Sequence, residues 1–357
     1  MSSPTPSSET SPATATWPWL FSAPIDLAAF AGSALVSLLL LAWGASSGWL
    51  NADVPEWSWV TCILLIDVAH VYATGFRVYF DRQELQRRPW LYYGVPVVSY
   101  VLGLALYSEG ELLFWRVLAY LAVFHFVRQQ YGWVALYRAK AGEVGRAGRW
   151  IDNATIYAAT LYPLIYWHAH LPRRFSWFVS HDFHVIPLVC EAVCWPLYCV
   201  ALTLYAGKAM FQWVGGNPNP GKDLVVTTTA VCWYVGIVAF DSDYAFTVTN
   251  VIIHGVPYMV LVYWYWSRRV SDAADRGSTR WRGLVFFVAT IWVLAYIEEL
   301  IWHRAIWHDK EWLFGAGIGI EPIAQMLIVP MLATPQLTHY ILDGFIWKRR
   351  SNPRFRL

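Results

Sequence analysis

The chain has 357 residues, 57% of them hydrophobic, 17% aromatic and only 14% charged. A composition this apolar excludes an ordinary water-soluble domain and points to an all-α, polytopic integral membrane protein whose first partner is the lipid bilayer. A formal net charge of +2 offers no basic surface for a phosphate backbone, so no nucleic acid is expected as a partner.

The chain opens with MSSPTPSSETSPATAT, rich in Ser, Thr and Pro and free of Lys and Arg. Such a segment buries too little apolar surface to order itself, so residues 1–20 read as a disordered tail. The basic start of a signal peptide is missing. Residues 21–350 then form a single transmembrane helical domain, and residues 351–357 a short basic C-terminal tail. A spanning helix needs about 20 mostly apolar residues, and ten segments qualify: 25–47, 57–80, 90–107, 112–138, 151–168, 184–211, 223–240, 246–267, 281–302 and 322–347.

The loops test that count, because Lys and Arg collect on the cytoplasmic side of short connections. Alternate loops carry Arg77, Arg82, Arg87 and Arg88; Arg138, Lys140, Arg146 and Arg149; Lys208 and Lys222; five arginines over 268–282; and five basic residues from Lys348 onward. The opposite loops hold only Arg173, Arg174, Arg304 and Lys310. The asymmetry predicts ten spans with both termini in the cytoplasm, integral to the inner membrane. Cysteines 62, 190, 194, 199 and 232 fall within apolar runs without a CxxC spacing and read as small packing residues. GGNPNPGKD at 215–223 is a turn, and FGAGIGIEP at 314–322 follows no strand, which argues against a dinucleotide loop.

Ten histidines divide into two groups on this topology. His168, His170, His181, His184, His303 and His308 fall at or near the outer surface, with HDFH at 181–184 read as a solvated loop. His70, His125, His254 and His339 fall inside helices that all run in the same direction, at depths within roughly 10 Å of one another for a rise of 1.5 Å per residue. Each has a polar neighbour one turn away on the same face: Asp67 before His70, Arg128 and Gln129 after His125, Asn250 before His254, Asp343 after His339.

A metal takes neutral imidazole through one ring nitrogen while a carboxylate or amide holds the other. The four histidines are therefore candidate metal ligands, with Asp67, Asn250 and Asp343 as their outer supports. Non-haem iron suits this set because a redox metal gives an apolar chamber a chemical task; copper, zinc or a non-covalent haem are the alternatives. Arg128 and Gln129 are candidates for stabilising developing charge, and Tyr131 and Tyr340 for donating protons. A carboxylate-rich site recruiting Glu191, Glu298 or Glu299 is a further option. Three other readings stay open: polar packing of satisfied histidines, an electron-transfer protein handling haem or quinone, and a proton or ion pathway through Asp67, His125, Arg128 and Asp343.

The pattern of IDVAHVYAT, FHFVRQQYGW, TVTNVIIHGVPY and THYILDGFIW, with histidines on separate membrane helices and a DxxH element followed by aromatics, resembles the integral-membrane histidine-ligated iron oxygenases, nearest in character to the Brp/Blh-type carotene dioxygenases. That resemblance implies non-haem iron held by His70, His125, His254 and His339, activating dioxygen against a lipid-soluble polyene or similar substrate; an electron donor is a further candidate partner. The clustered HxxxH and HxxHH boxes of desaturases and hydroxylases are absent from the sequence.

Overall fold

The structure is a computed structural model and describes residues 17–271 and 278–348. The expected tails at 1–20 and 351–357 lie wholly or mostly outside the described residues. Within them every regular element is a helix and no strand occurs. In chain order these are α1 Ala23–Ser46, α2 Glu56–Arg77, α3 Arg82–Arg87, α4 Pro89–Glu109, α5 Glu111–Lys140, α6 Arg146–Ala169, α7 Leu188–Val214, α8 Pro220–Ala239, α9 Asp243–Arg269, α10 Trp281–Trp307, α11 Glu311–Phe314 and α12 Pro322–Ile346. Ten of them run 20 to 30 residues. They coincide with the ten segments read from the sequence, the ends differing by five residues or fewer.

Seven of the ten, α1, α2, α4, α7, α8, α9 and α10, are long and apolar enough to cross a membrane. The other three, α5, α6 and α12, are as long but more polar, and two of them carry histidines of the central group. Leucines and valines lie exposed along α4 and α7, among them Val97, Val98, Leu188, Leu197 and Leu204. Water would penalise that outward apolar surface and lipid would not.

The centre is built from α2, α5, α9 and α12. Helix α4 backs α12, α10 backs α2, α8 lies against α5 and α6, and α6 pairs with the peripheral α7. Wide π-type turns interrupt α2 at Trp59–Val68 and α9 at Thr247–Val251, each just before a histidine. Gly236 of α8 lets α9 approach, since a Cβ there would lie 2.0 Å from Thr249 Oγ1 and 2.5 Å from Asn250 Nδ2.

Charged residues assigned to basic loops prove to be buried and paired. Asp152 of α6 is fully buried and accepts from Arg138 of α5, from Lys208 Nζ of α7 at 2.5 Å, and from Lys222 Nζ of α8 at 3.4 Å. Glu143, in the α5–α6 connection, takes Lys222 Nζ at 2.7 Å on both oxygens and Asn219 Nδ2 at 2.7 Å. Four helices are thereby tied at one end. Near α3, Glu84 holds Arg77 at 3.3 Å and also binds Arg87 and Tyr92.

Burial works against ionisation of Glu84, but Arg77, Tyr92 and Arg87 outweigh it and hold the carboxyl below its ordinary range. Glu143 is likewise held below that range, with Asn219 and the lysines overcoming burial. A depressed carboxyl stabilises the fold above its unfolded pKa and loses that contribution as pH falls through the folded one. Thermal stability in detergent should therefore be flat down to the ordinary glutamate range and decline below it. Replacing Glu84 and Glu143 together by glutamine should lower stability at neutral pH and flatten the acid limb; an acid limb identical to that of wild type would contradict this.

Candidate metal centre

His70 on α2, His125 on α5, His254 on α9 and His339 on α12 converge in the middle of the bundle, each at most 4% exposed. His254 Nε2 lies 3.1 Å from His70 Nε2, and His339 Nε2 lies 3.1 Å from His125 Nε2. Ring centroids are 4.7 Å apart for His70 and His254, 4.9 Å for His70 and His339, 5.1 Å for His125 and His254, and 4.5 Å for His125 and His339. One nitrogen from each of His70, His125 and His339 falls within 4.8 Å of the others. Four helices distant in sequence thus bring their imidazoles to one point.

The outer nitrogens are held unequally. His339 Nδ1 is 2.7 Å from Thr74 Oγ1, Thr74 Oγ1 is 2.9 Å from the Tyr258 hydroxyl, and that hydroxyl donates to Asp343 Oδ1 at 2.6 Å. Direction follows from the carboxylate end. Tyr258 gives its proton to Asp343, so its oxygen accepts from Thr74, and Thr74 accepts from Nδ1–H of His339. The Nε2 lone pair of His339 is left pointing at His125. Asp343 also receives Trp347 Nε1 at 3.2 Å and lies 4.0 Å from His125 Nε2.

Asp67 Oδ1 stands 3.7 Å from His70 Nδ1, and neither atom has a hydrogen-bond partner. Asn250 donates to Thr249 Oγ1 at 3.0 Å while Asn250 Oδ1 and His254 Nδ1 both lack partners, so no hydrogen bond joins this expected pair. The wide turn over Thr247–Val251 breaks the phase on which the one-turn rule depends. Phe126 instead fixes His254, stacking on it at 3.6 Å and 8°.

Residues named for proton transfer and charge stabilisation occupy one side of the cluster. Tyr340 stacks on His125 with centroids 4.6 Å apart. Gln129 Nε2 donates to the carbonyl of His254 at 2.7 Å, which makes it a strut between α5 and α9. Arg128 donates to the Tyr157 hydroxyl and lies over Tyr131 at 4.5 Å. A cavity of about 460 Å³ runs between α5 and α12, and its lining includes His125, Arg128, Tyr131, Tyr340, Asp343 and Trp347.

Two of the outer histidines are buried rather than solvated. His168 is buried, with Nδ1 on the Leu164 carbonyl at 2.6 Å and Nε2 3.2 Å from the Tyr120 hydroxyl. His303 is buried beside Glu299 at 3.2 Å. The HDFH loop is a correction: Asp182 and Phe183 are buried, because Asp182 accepts from the amides of Phe178 and Val179 and folds the segment inward. Glu298 binds the Tyr72 hydroxyl at 2.5 Å and Trp302 Nε1 at 3.2 Å, and Glu191 pairs with the Tyr162 hydroxyl at 3.3 Å. Among the described residues the carboxylates form no cluster with metal-ligand spacing, and the histidines do.

In comparisons with known proteins, no family, no curated protein and no solved structure matches this chain. The likeness to membrane histidine oxygenases therefore rests on the histidines and the short motifs around them.

Proposed function

We propose that the chain is a ten-span protein of the inner membrane, both termini cytoplasmic, in which His70, His125, His254 and His339 hold a redox metal, non-haem iron by preference, for oxidation of a lipid-soluble substrate. The observation that carries this reading is the pair of Nε2 contacts at 3.1 Å. Each contact brings together ring nitrogens from two different helices, the atoms through which these residues would hold a metal.

When bound, iron would supply the redox chemistry of dioxygen activation, with electrons from a partner donor. The chain's own groups do the rest. Thr74, Tyr258 and Asp343 hold the His339 proton on Nδ1 and present Nε2 inward. Phe126 and the Gln129 bond set the ring and backbone of His254. The cavity gives a substrate access to His125 and Tyr340. Tyr340, stacked on His125, is placed to hold a proton at the chamber wall.

Elemental analysis and an absorption spectrum of detergent-purified protein test the reading. Near-stoichiometric iron without a Soret band supports it; folded, metal-free protein sinks it and returns weight to an ion pathway. Tyr258→Phe provides a finer test, because it severs Thr74 from Asp343 and loosens the orientation of His339. Iron affinity, read by chelator competition, should fall by about 10- to 100-fold, the usual cost of losing such an outer partner. Unchanged affinity would remove the relay from the site.

A further inference from the structure

The cavity between α5 and α12 is not uniformly apolar. Arg128 sits near the middle of the 30-residue α5, three residues from His125, and lines the chamber. Its guanidinium is met by a phenol and a ring, Tyr157 and Tyr131, and among the described residues it makes no ion pair with a carboxylate. Arg128 is exposed on α5, whereas the buried cations of this protein are paired with carboxylates: Arg138 with Asp152, Lys222 with Glu143, Arg77 with Glu84. A cation at membrane depth is costly unless an anion or water meets it, and marks a pathway or a ligand.

The chamber's dimensions limit what that ligand is. It follows α5 from Phe124 to Ala139, a run of about 22 Å at 1.5 Å per residue. About 460 Å³ spread along that length makes an elongated space, which suits an extended chain better than a compact molecule.

We infer that the chamber takes a single-chain amphiphile with a carboxylate head, a long-chain acid, whose carboxylate is held by Arg128 while its chain lies along the α5–α12 groove. A guanidinium fork matches a carboxylate in two hydrogen bonds. Arg128 stands three residues from His125 and eleven from Ala139, so the head itself lies beside the histidine wall and the chain runs toward Ala139. This deepens the proposed function and rests on its reading of the cavity as the substrate chamber, although binding of the acid needs no metal.

The test is fluorescence titration of purified protein with cis-parinaric acid and with its methyl ester, on iron-loaded and chelator-stripped samples, the iron of each being measured. Wild type should bind the acid at least about tenfold more tightly than the ester, as expected for a hydrogen bond to a charged group. Arg128→Gln should abolish the preference and leave ester binding unchanged; Arg128→Lys should keep part of it. Lys348→Gln, at the chamber's mouth, should leave it intact. Equal binding of acid and ester by wild type, or a preference that follows Lys348 and survives Arg128→Gln, overturns the inference whatever the iron content. An acid preference in protein that never holds iron upholds it and removes only the metal reading.

Discussion

Substituting His70 or His339 by alanine is expected to leave the protein essentially free of iron, while His184→Ala leaves the iron content at the wild-type level. His70, His125 and His339 each bring one nitrogen within 4.8 Å of the others, and His254 joins them through its 3.1 Å contact with His70. Loss of a ligand should exceed the about 10- to 100-fold weakening caused by loss of an outer partner. Alanine also opens a small void and leaves the facing imbalance of Nε2 atoms, at an expected cost of about 1–3 kcal/mol. His339→Gln keeps the volume and a polar end, so folded but iron-free His339→Gln would separate ligand loss from collapse. His184 is exposed and bonds only through its backbone amide, 3.3 Å from the Tyr120 hydroxyl. Iron retained in both His70→Ala and His339→Ala would place the metal elsewhere and end the proposal.

The helices were legible because a run of some twenty apolar residues is the strongest signal a sequence carries. Convergence of the histidines was legible too, since residues at equal depth on parallel helices need only face inward to meet. Their supports were legible in half. Asp67 and Asp343 lie near their histidines as the one-turn rule requires. Asn250 does not bond to His254, because the rule assumes a regular α-helix and the turn there is wider.

Thr74 and Tyr258 each stand four residues after a central histidine, His70 and His254, yet each serves the histidine of another helix, which spacing within one helix does not reveal. The same holds for the bond between Tyr72 and Glu298, 226 positions apart. Lysines and arginines in short loops are usually solvated, and nothing local distinguishes Lys222, which is fully buried. Only the packing of α8 against α5 and α6 creates its pocket.

That buried network sets the second large expectation, that Asp152→Ala destabilises the protein by about 3–5 kcal/mol, the range for breaking a buried ion pair from one side. Asp152 is fully buried and faces Arg138, Lys208 and Lys222. Without it, three cations share Glu143 alone, and Lys222 cannot reach water to recover its lost partner. Asp152→Asn should be nearly as harmful, because an amide turns two hydrogen-bond donors toward cations that need an acceptor. Asp241→Ala is the contrasting case: Asp241 is 49% exposed, and Arg173 keeps the Phe240 carbonyl as an acceptor at 2.7 Å, so the loss should be smaller than at Asp152. Thermal melts in detergent would show an Asp152→Ala midpoint roughly 5–10 °C below wild type; a midpoint within a degree or two would mean that the three cations find other partners. The network shares only α5 with the histidines, so iron per folded molecule should be the same in Asp152→Ala as in wild type. A variant that loses stability and keeps its iron, set beside His339→Gln that keeps its fold and loses iron, would separate the scaffold of this bundle from its site.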